Sequence, residues 1–190
     1  MKVARRALSR HVKDKMETHL NLACVMVQEH RQEIQRLKQQ IKPRLIWKMD
    51  HFAQRRELAE KTAKQKYCFS PSFSTGPQGY QKRMLVCSNG IGQGENTHLS
   101  VFAVIVKGED DAILPWPFNL GVTLTLIDQQ ENPTEQQNIS GKPTYFPQGA
   151  FTRPVQQNKQ FGIQEFVSHE TLKTRRYVLD NALFFQLEVD

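Results

Sequence analysis

Residues 111–129 read DAILPWPFNLGVTLTLIDQ, and the second half of this stretch decides the fold class. Val122, Leu124 and Leu126 alternate with threonines, so one face of the segment is apolar and the other is polar. A repeat of two residues is the side-chain period of a β-strand, and this alternation is typical of an antiparallel sheet with one buried face. The segment therefore predicts a strand that covers a core.

The first half of the same stretch holds a tryptophan between two prolines. Pro115 and Pro117 cannot donate hydrogen bonds to a central sheet ladder, so they predict an extended, ordered connection that leads into the strand. We interpret Trp116 and Phe118 as aromatic plugs at the end of the core, in preference to a ligand platform, because bulky aromatics beside a strand entrance usually serve burial.

Similar β-rich runs recur along the chain from residue 45 onward. They are LIWKM (45–49), YQKRMLVCS (80–88), HLSVFAVIV (98–106), VTLTLID (122–128) and ALFFQLEV (182–189). Turn-forming stretches separate them, and NGIGQG is interpreted as a long hairpin turn between two strands. A short helical turn is expected at SHETLKTRR, where Ser168 can cap. Closely spaced strands without long intervening helices predict an antiparallel β-sandwich or barrel.

The N-terminal quarter has a different pattern, with apolar residues at seven of eight positions that recur at alternating steps of four and three. These seam positions are Met16, Leu20, Ala23, Val27, His30, Ile34, Leu37 and Ile41. A heptad repeat of this kind predicts a coiled-coil stalk, although a single helix packed on its own domain remains an alternative. The spacing predicts an oligomer without giving the number of chains. We expect two units, a stalk over 1–45 and a β-sandwich over 46–190.

Composition narrows the class of protein. The chain has 190 residues, 38% of them hydrophobic, and no apolar run is long enough to cross a membrane. Residues 1–45 carry 11 basic and 4 acidic side chains, which accounts for the whole net charge of +7. Three separated cysteines predict no disulfide framework, and the histidines form no metal-binding spacing. Neither an enzyme motif nor a cofactor site is expected, and a cytosolic location is the default.

Several motifs occur in a fixed order and resemble one known family. They are FSPSFSTGPQGY (69–80), NGIGQGENTHLSVF (89–102), LPWPF (114–118), LIDQ (126–129) and FVSHETLKTRRYVLDNALFF (166–185). Together they resemble the tumour necrosis factor receptor-associated factor (TRAF) family, whose C-terminal module is also called the meprin and TRAF homology (MATH) domain. The similarity spans residues 46–190. The dipeptide FG at 161–162 followed by FVSH resembles the branch that couples to interleukin-1 and Toll-type signalling.

The resemblance implies an eight-stranded antiparallel β-sandwich on a coiled-coil stalk, assembled as a parallel trimer. It also implies a cytoplasmic, non-enzymatic adaptor of immune signalling. The RING and zinc-finger units of full-length members are missing here, so either this is the C-terminal fragment of a longer chain or ligase function belongs to partners. Extended segments of receptor tails or adaptor proteins would add to a sheet edge, and three weak contacts would combine by avidity. The alternative is a MATH-type module that presents substrates to ubiquitin-pathway enzymes.

The family's binding positions carry over only in part. In the family, an arginine and a tyrosine contact an acidic residue of the bound peptide, and an aspartate lies nearby. The corresponding positions of this chain are Leu85, Cys87 and Ile91. Arg83 shares the strand face of the first two, so we hypothesise that it supplies the cation from a shifted position. A solvated surface charge is the alternative for Arg83.

Other site positions match the family pattern better. The remaining predicted peptide-binding residues are Phe102, Ile139, Lys159, Phe161, Gly162 and Ile163. Gly162 fits a place where two main chains approach closely, because glycine has no side chain to obstruct them. The expected partners are further copies of this chain and receptor or adaptor peptides, with no membrane insertion. Nucleic acid is not expected, because the basic N-terminal segment has no interleaved aromatics for base stacking.

Overall fold

The computed structural model describes residues 15–16, 18–34, 43–62 and 66–189. The chain divides into two compact units, Met1–Lys42 and Pro43–Asp190. In the first unit, residues 15–16 and 18–34 are helical (α1), and every described side chain of this helix is exposed. Its seam residues include Leu20 and Val27, which are 62% and 59% exposed. The seam positions Leu37 and Ile41 lie outside the described residues.

The second unit is built from nine strands and one α-helix within its described residues. The strands are β1 Arg44–Met49, β2 Cys68–Phe69, β3 Phe73–Ser74, β4 Gln81–Cys87, β5 His98–Val106, β6 Val122–Leu126, β7 Ile139–Gly141, β8 Phe161–Ser168 and β9 Leu183–Val189. The helix is α2, Phe52–Lys61.

All strand pairs are antiparallel and form two sheets. Sheet I has the order β1-β9-β6-β7, and sheet II has the order β2-β4-β5-β8. β3 also pairs with β4, so β2 and β3 act as one interrupted edge strand: Cys68 lies opposite Val86 and Ser74 lies opposite Gln81. Counted in this way the strands number eight. The predicted antiparallel sandwich is confirmed.

The core lies between the two sheets and is filled by alternate side chains of each strand. Met84 and Val86 of β4 point inward, as their alternation predicts, and Leu124 and Leu126 reach the core from sheet I. The turn at SHETLKTRR is also present: Thr171–Lys173 forms a 3₁₀ turn, and the Ser168 Oγ accepts a hydrogen bond from the Thr171 N–H at 3.0 Å.

The aromatic residues of LPWPF close one end of this core. Phe118 is buried, and its ring meets the Tyr80 ring edge-on with 4.9 Å between centroids. Trp116 packs against the core and donates its indole N–H to the Asp111 carbonyl at 2.9 Å. The interpretation as core plugs is confirmed. The expected extended approach was wrong, because the chain bends at residues 116–117 and the peptide bond before Pro117 is cis.

Helix α2 has no counterpart among the sequence expectations. Its sequence, FAQRRELAEK, has no apolar stripe that would predict a helix. In the structure only Phe52 and Ala59 of this helix are buried. Its first two N–H groups, which a helix start leaves without intrahelical partners, are bonded by Asn181: the backbone carbonyl accepts from Phe52 at 2.9 Å and the side-chain oxygen from Ala53 at 2.8 Å. A cap from so distant a residue leaves no local signal in the sequence.

No helix within the described residues combines the length and the hydropathy that crossing a bilayer requires. In the same part of the chain, no three His, Cys, Asp or Glu side chains gather in a metal-binding arrangement.

Candidate functional site

Sheet II carries a second apolar cluster on the face turned away from the core. This outer cluster consists of Leu85, Cys87, Phe102 and Val104, each between 0% and 2% exposed. Because Met84 and Val86 point into the core, their neighbours on β4 must point outward, and here those neighbours are apolar. Three predicted site residues, Leu85, Cys87 and Phe102, are thus brought together. A fourth, Ile91, packs against them.

The outer cluster contains no charge near neutral pH. Burial raises the pKa of the Cys87 thiol to about 12, so Cys87 behaves as a small apolar residue. The Ile91 N–H is donated to the Ser100 Oγ at 3.0 Å, which holds the β4–β5 turn against β5. The cluster has no group to pair with a carboxylate, and because its four side chains are buried, a partner reaches apolar surface here only where a covering group moves aside.

Arg83 lies beside the outer cluster, in a cleft of its own. Its guanidinium stacks on the Phe69 ring at 4.0 Å and donates from Nη2 to the Gln157 side-chain oxygen. The Arg83 Nε is buried and has no hydrogen-bond partner within the described residues. The cleft has a volume of about 480 Å³. It is lined by Ser70, Pro71, Ser72, Arg83, Val106, Gln156 and Gln157. A guanidinium that lines a polar cleft is suited to an anionic group.

The β8 edge adjoins the outer cluster at Gly162. Gly162 lies opposite Phe102 of β5, and its own N–H and C=O point away from β5. Both groups bond Tyr145: the Gly162 N–H donates to the Tyr145 carbonyl at 3.1 Å, and the Gly162 carbonyl accepts from the Tyr145 N–H at 2.9 Å. A Cβ at Gly162 would lie 2.3 Å from the Val101 oxygen, so only glycine fits this contact.

The remaining predicted site residues are placed differently from one another. The Phe161 side chain is buried in the core, with 4.8 Å between its ring centroid and that of Phe151, so it does not reach the edge. Ile163 and Ile139 are partly buried and pack against the core, Ile139 from sheet I. Lys159 is exposed just before β8. A binding role for each of these residues stays a prediction.

Two residues of the site were missed by sequence reasoning. Tyr145 covers Phe102, with 6.3 Å between ring centroids, and Gln157 bonds Arg83. Both belong to the long connection between β7 and β8. The two prolines that begin and end the segment PTYFP (143–147) were the only available signal of an irregular extended stretch. They do not indicate which strand this stretch contacts.

The fold and the site have clear relatives among known proteins. A family model described as "TRAF/meprin, MATH domain" matches residues 65–186, which is most of the sandwich. A solved structure of TRAF5 from Notothenia coriiceps is 32% identical, with a TM-score of 0.69, and the match covers 98% of this chain and 95% of that one. The chain belongs to the TRAF family. The resemblance of its motifs is confirmed, and the two-sheet sandwich matches the family's MATH domain.

Curated relatives include several TRAF proteins. Human TNF receptor-associated factor 2 is 38% identical over 147 residues, 76% of this chain. Human factor 5 is 31% identical over 182 residues (93%), and factor 6 of Macaca mulatta is 33% identical over 150 residues (76%). The chain spans 28%, 32% and 28% of the lengths of these three proteins. The assignment to the interleukin-1 and Toll branch stays a prediction.

Proposed function

We propose that this chain is the receptor-binding and oligomerising part of a cytoplasmic signalling adaptor, and that it binds extended peptides along the β8 edge. One observation carries the proposal: the backbone N–H and C=O of Gly162 point out of the sheet, where they form hydrogen bonds with the backbone of Thr144 and Tyr145. The edge can therefore pair with a further extended segment. Such hydrogen bonds give an added strand its general affinity, and neighbouring side-chain pockets give it selectivity. The printed names of the relatives, TNF receptor-associated factors, support a receptor-tail ligand.

The side chains beside the edge define the peptide that fits. Phe102 of the outer cluster lies directly next to Gly162 and is covered by the Tyr145 ring, so a peptide residue that takes the place of that ring meets an apolar surface. Arg83 lies on β4, two strand spacings from β8, or roughly 10 Å. We therefore expect an apolar anchor at the edge, with an acidic side chain further along the peptide.

The stalk supports assembly of several binding units. Leu20, Val27 and Ile34 are more than half exposed on α1, and a helix in a protein gains most of its stability from packing such an apolar face. Pairing the seams of several chains would cover these residues in a coiled coil, and we propose a parallel trimer. Three heads on one stalk convert weak peptide contacts into firm binding to clustered receptors.

Selection from a random library of short peptides, displayed on phage, tests this function with the whole chain as bait. We expect enrichment of extended sequences with one large apolar residue, and binding that places the peptide backbone against Gly162 in amide-exchange measurements. A selection that enriches no sequence over a bait lacking the chain would contradict the proposal.

A further inference from the structure

The β8 edge is already occupied by a segment of the chain itself. Residues 143–147 read PTYFP and form the strap, which crosses the edge at Gly162. Within the strap, the N–H groups of Thr144 and Tyr145 both donate to the Gly162 carbonyl at 2.9 Å, and the Tyr145 carbonyl accepts from the Gly162 N–H. We propose that the strap is an internal occupant of the edge, which an incoming peptide must displace. This inference rests on the proposed function.

The composition of the strap limits how firmly it is held. Pro143 and Pro147 have no N–H to donate, so the pairing cannot extend into a regular ladder on either side. It remains a single β-bridge between Tyr145 and Gly162. Tyr145 and Phe146 are 40% and 58% exposed, so little apolar surface is buried to fix the segment. A contact of this kind opens locally without unfolding the sandwich.

The strap also indicates the chemistry of the peptide that replaces it. The Tyr145 ring lies edge-on to Phe102, at an interplanar angle of 83°. Phe102 is fully buried, and lifting the Tyr145 ring away would expose part of it to water. A peptide that supplies its own aromatic or large aliphatic side chain at this point avoids that cost. The displacing ligand is therefore an extended segment with such a residue opposite Gly162.

Competition by the strap lowers the apparent affinity for peptide. When only a fraction of molecules has an open edge, the apparent dissociation constant rises by the reciprocal of that fraction. One bridge and one aromatic contact are enough to keep the edge closed in most molecules. Weakening the strap should then tighten peptide binding, which is opposite to the effect of damaging a binding site.

Two variants of the whole chain test the inference. Tyr145→Ser removes the ring that covers Phe102, and Thr144→Pro removes one donor to Gly162 while leaving the ring in place. Val155→Ser is the control, because Val155 lies in the same β7–β8 connection outside the strap and is 86% exposed. The probes are peptides selected from the random library by the unaltered chain and, separately, by Tyr145→Ser.

We expect about five- to fifty-fold tighter peptide binding by Tyr145→Ser, a smaller gain for Thr144→Pro and no change for Val155→Ser. The Gly162 amide should exchange faster in both strap variants when no peptide is present. Equal affinities in all four proteins would overturn the strap inference and leave the proposed function standing. If no protein, Tyr145→Ser included, selects or binds any peptide, the proposed function fails and the inference fails with it.

Discussion

At the scale of single residues, the least expected feature is a lysine in the core. Lys82 occupies an inward position of β4 and is fully buried, with Nζ 3.3 Å from the centroid of the Phe118 ring. Its Nζ has no hydrogen-bond partner within the described residues. Burial lowers the pKa of Lys82 to about 7. The ring attracts the ammonium, which offsets only part of the cost of removing it from water.

We predict that Lys82→Met stabilises the protein. The folded-state pKa lies below the ordinary 10.5, so the charged lysine costs stability fully below about pH 7 and progressively less as the pH rises toward 10.5. The variant should raise the free energy of unfolding by roughly 2–4 kcal/mol at pH 6, and the gain should shrink by pH 10. Urea unfolding across this range measures it. Lys48→Met, at a half-exposed position, is the control, and a gain independent of pH would contradict the explanation.

Arg83 gives a second prediction at this scale. If its guanidinium binds an acidic side chain of the peptide, Arg83→Ala should lower the affinity for acidic peptides about ten-fold and leave the affinity for neutral peptides unchanged. Titration of selected peptides, each with its Glu→Gln partner, measures the effect. Lys48→Ala removes a charge from sheet I and serves as the control. An equal loss for the acidic and neutral members of a pair would show that Arg83 acts on structure alone.

A buried ion pair gives the third prediction. Burial by itself would raise the pKa of Asp128, but hydrogen bonds from Arg175 at 2.6 Å and from the Gln137 N–H hold it below its usual value. The pair therefore contributes stability above about pH 4, and this contribution is lost as the pH falls through the folded-state pKa of Asp128.

Arg175→Met should lower the free energy of unfolding by about 2–4 kcal/mol at pH 7, and the deficit should diminish below pH 4. Arg176→Met is the matched control, because the adjacent arginine pairs with Glu131 at the surface. Denaturant unfolding at pH 7 and pH 3.5 measures both variants. Similar losses in the two proteins at pH 7 would refute a special role for the buried pair.

At the scale of elements, β5 and β8 depend on one glycine for their close approach. A Cβ at Gly162 would meet the Val101 oxygen at 2.3 Å and the Phe102 Cα at 2.5 Å. Both are main-chain atoms in the middle of sheet II, so they cannot move aside without breaking the ladder. The same glycine therefore sets the pairing of the sheet and the opening of the edge.

Gly162→Ala should destabilise the sandwich by about 2–4 kcal/mol, because the clash falls on backbone atoms. Gly76→Ala is the control, since a Cβ there has nothing within 4 Å. Thermal unfolding followed by circular dichroism compares the two variants with the unaltered chain. A melting temperature for Gly162→Ala equal to that of Gly76→Ala would show that the strands separate more readily than these distances imply.

At the scale of the whole molecule, the proposed mechanism requires several heads on one stalk. Val27 lies in the seam and Val25 lies off it, yet both are more than half exposed on α1. The heptad pattern, rather than exposure, assigns them different surroundings in a coiled coil. Substituting the two valines in turn therefore distinguishes assembly through the seam, which needs Val27 alone, from non-specific association, in which both valines would matter equally.

Val27→Asp should reduce the assembly to single chains, whereas Val25→Asp should leave it intact, because only the seam position is buried between chains. Sedimentation equilibrium of residues 1–190 measures the masses, and a mass of three chains is expected for the unaltered protein. Binding to surface-immobilised peptide should weaken at least ten-fold with loss of assembly. A single-chain mass for the unaltered protein would remove the basis for avidity.

The sequence by itself determined the elements whose signal is local. The alternation of Val122, Leu124 and Leu126 is sufficient to predict a strand, because a period of two places these residues on one face whatever lies opposite. The heptad spacing before Pro43 likewise predicts a helix, and residues 15–16 and 18–34 are helical, while the coiled-coil stalk stays a prediction. The order and spacing of the motifs identified the family. Periodicity alone predicts strands but not which strands are neighbours, and the family's fold supplies that order.

The tertiary structure decided everything that depends on contacts between distant residues. Asn181 caps α2, Tyr145 occupies the β8 edge, and the Phe118 ring meets the Lys82 ammonium in the core. Propensity and periodicity describe each residue with its near neighbours along the chain, so they carry no information on which remote backbone will meet it. The site depends on such meetings, which is why its residues were named in part from the sequence while its occupied edge was found only in the folded chain.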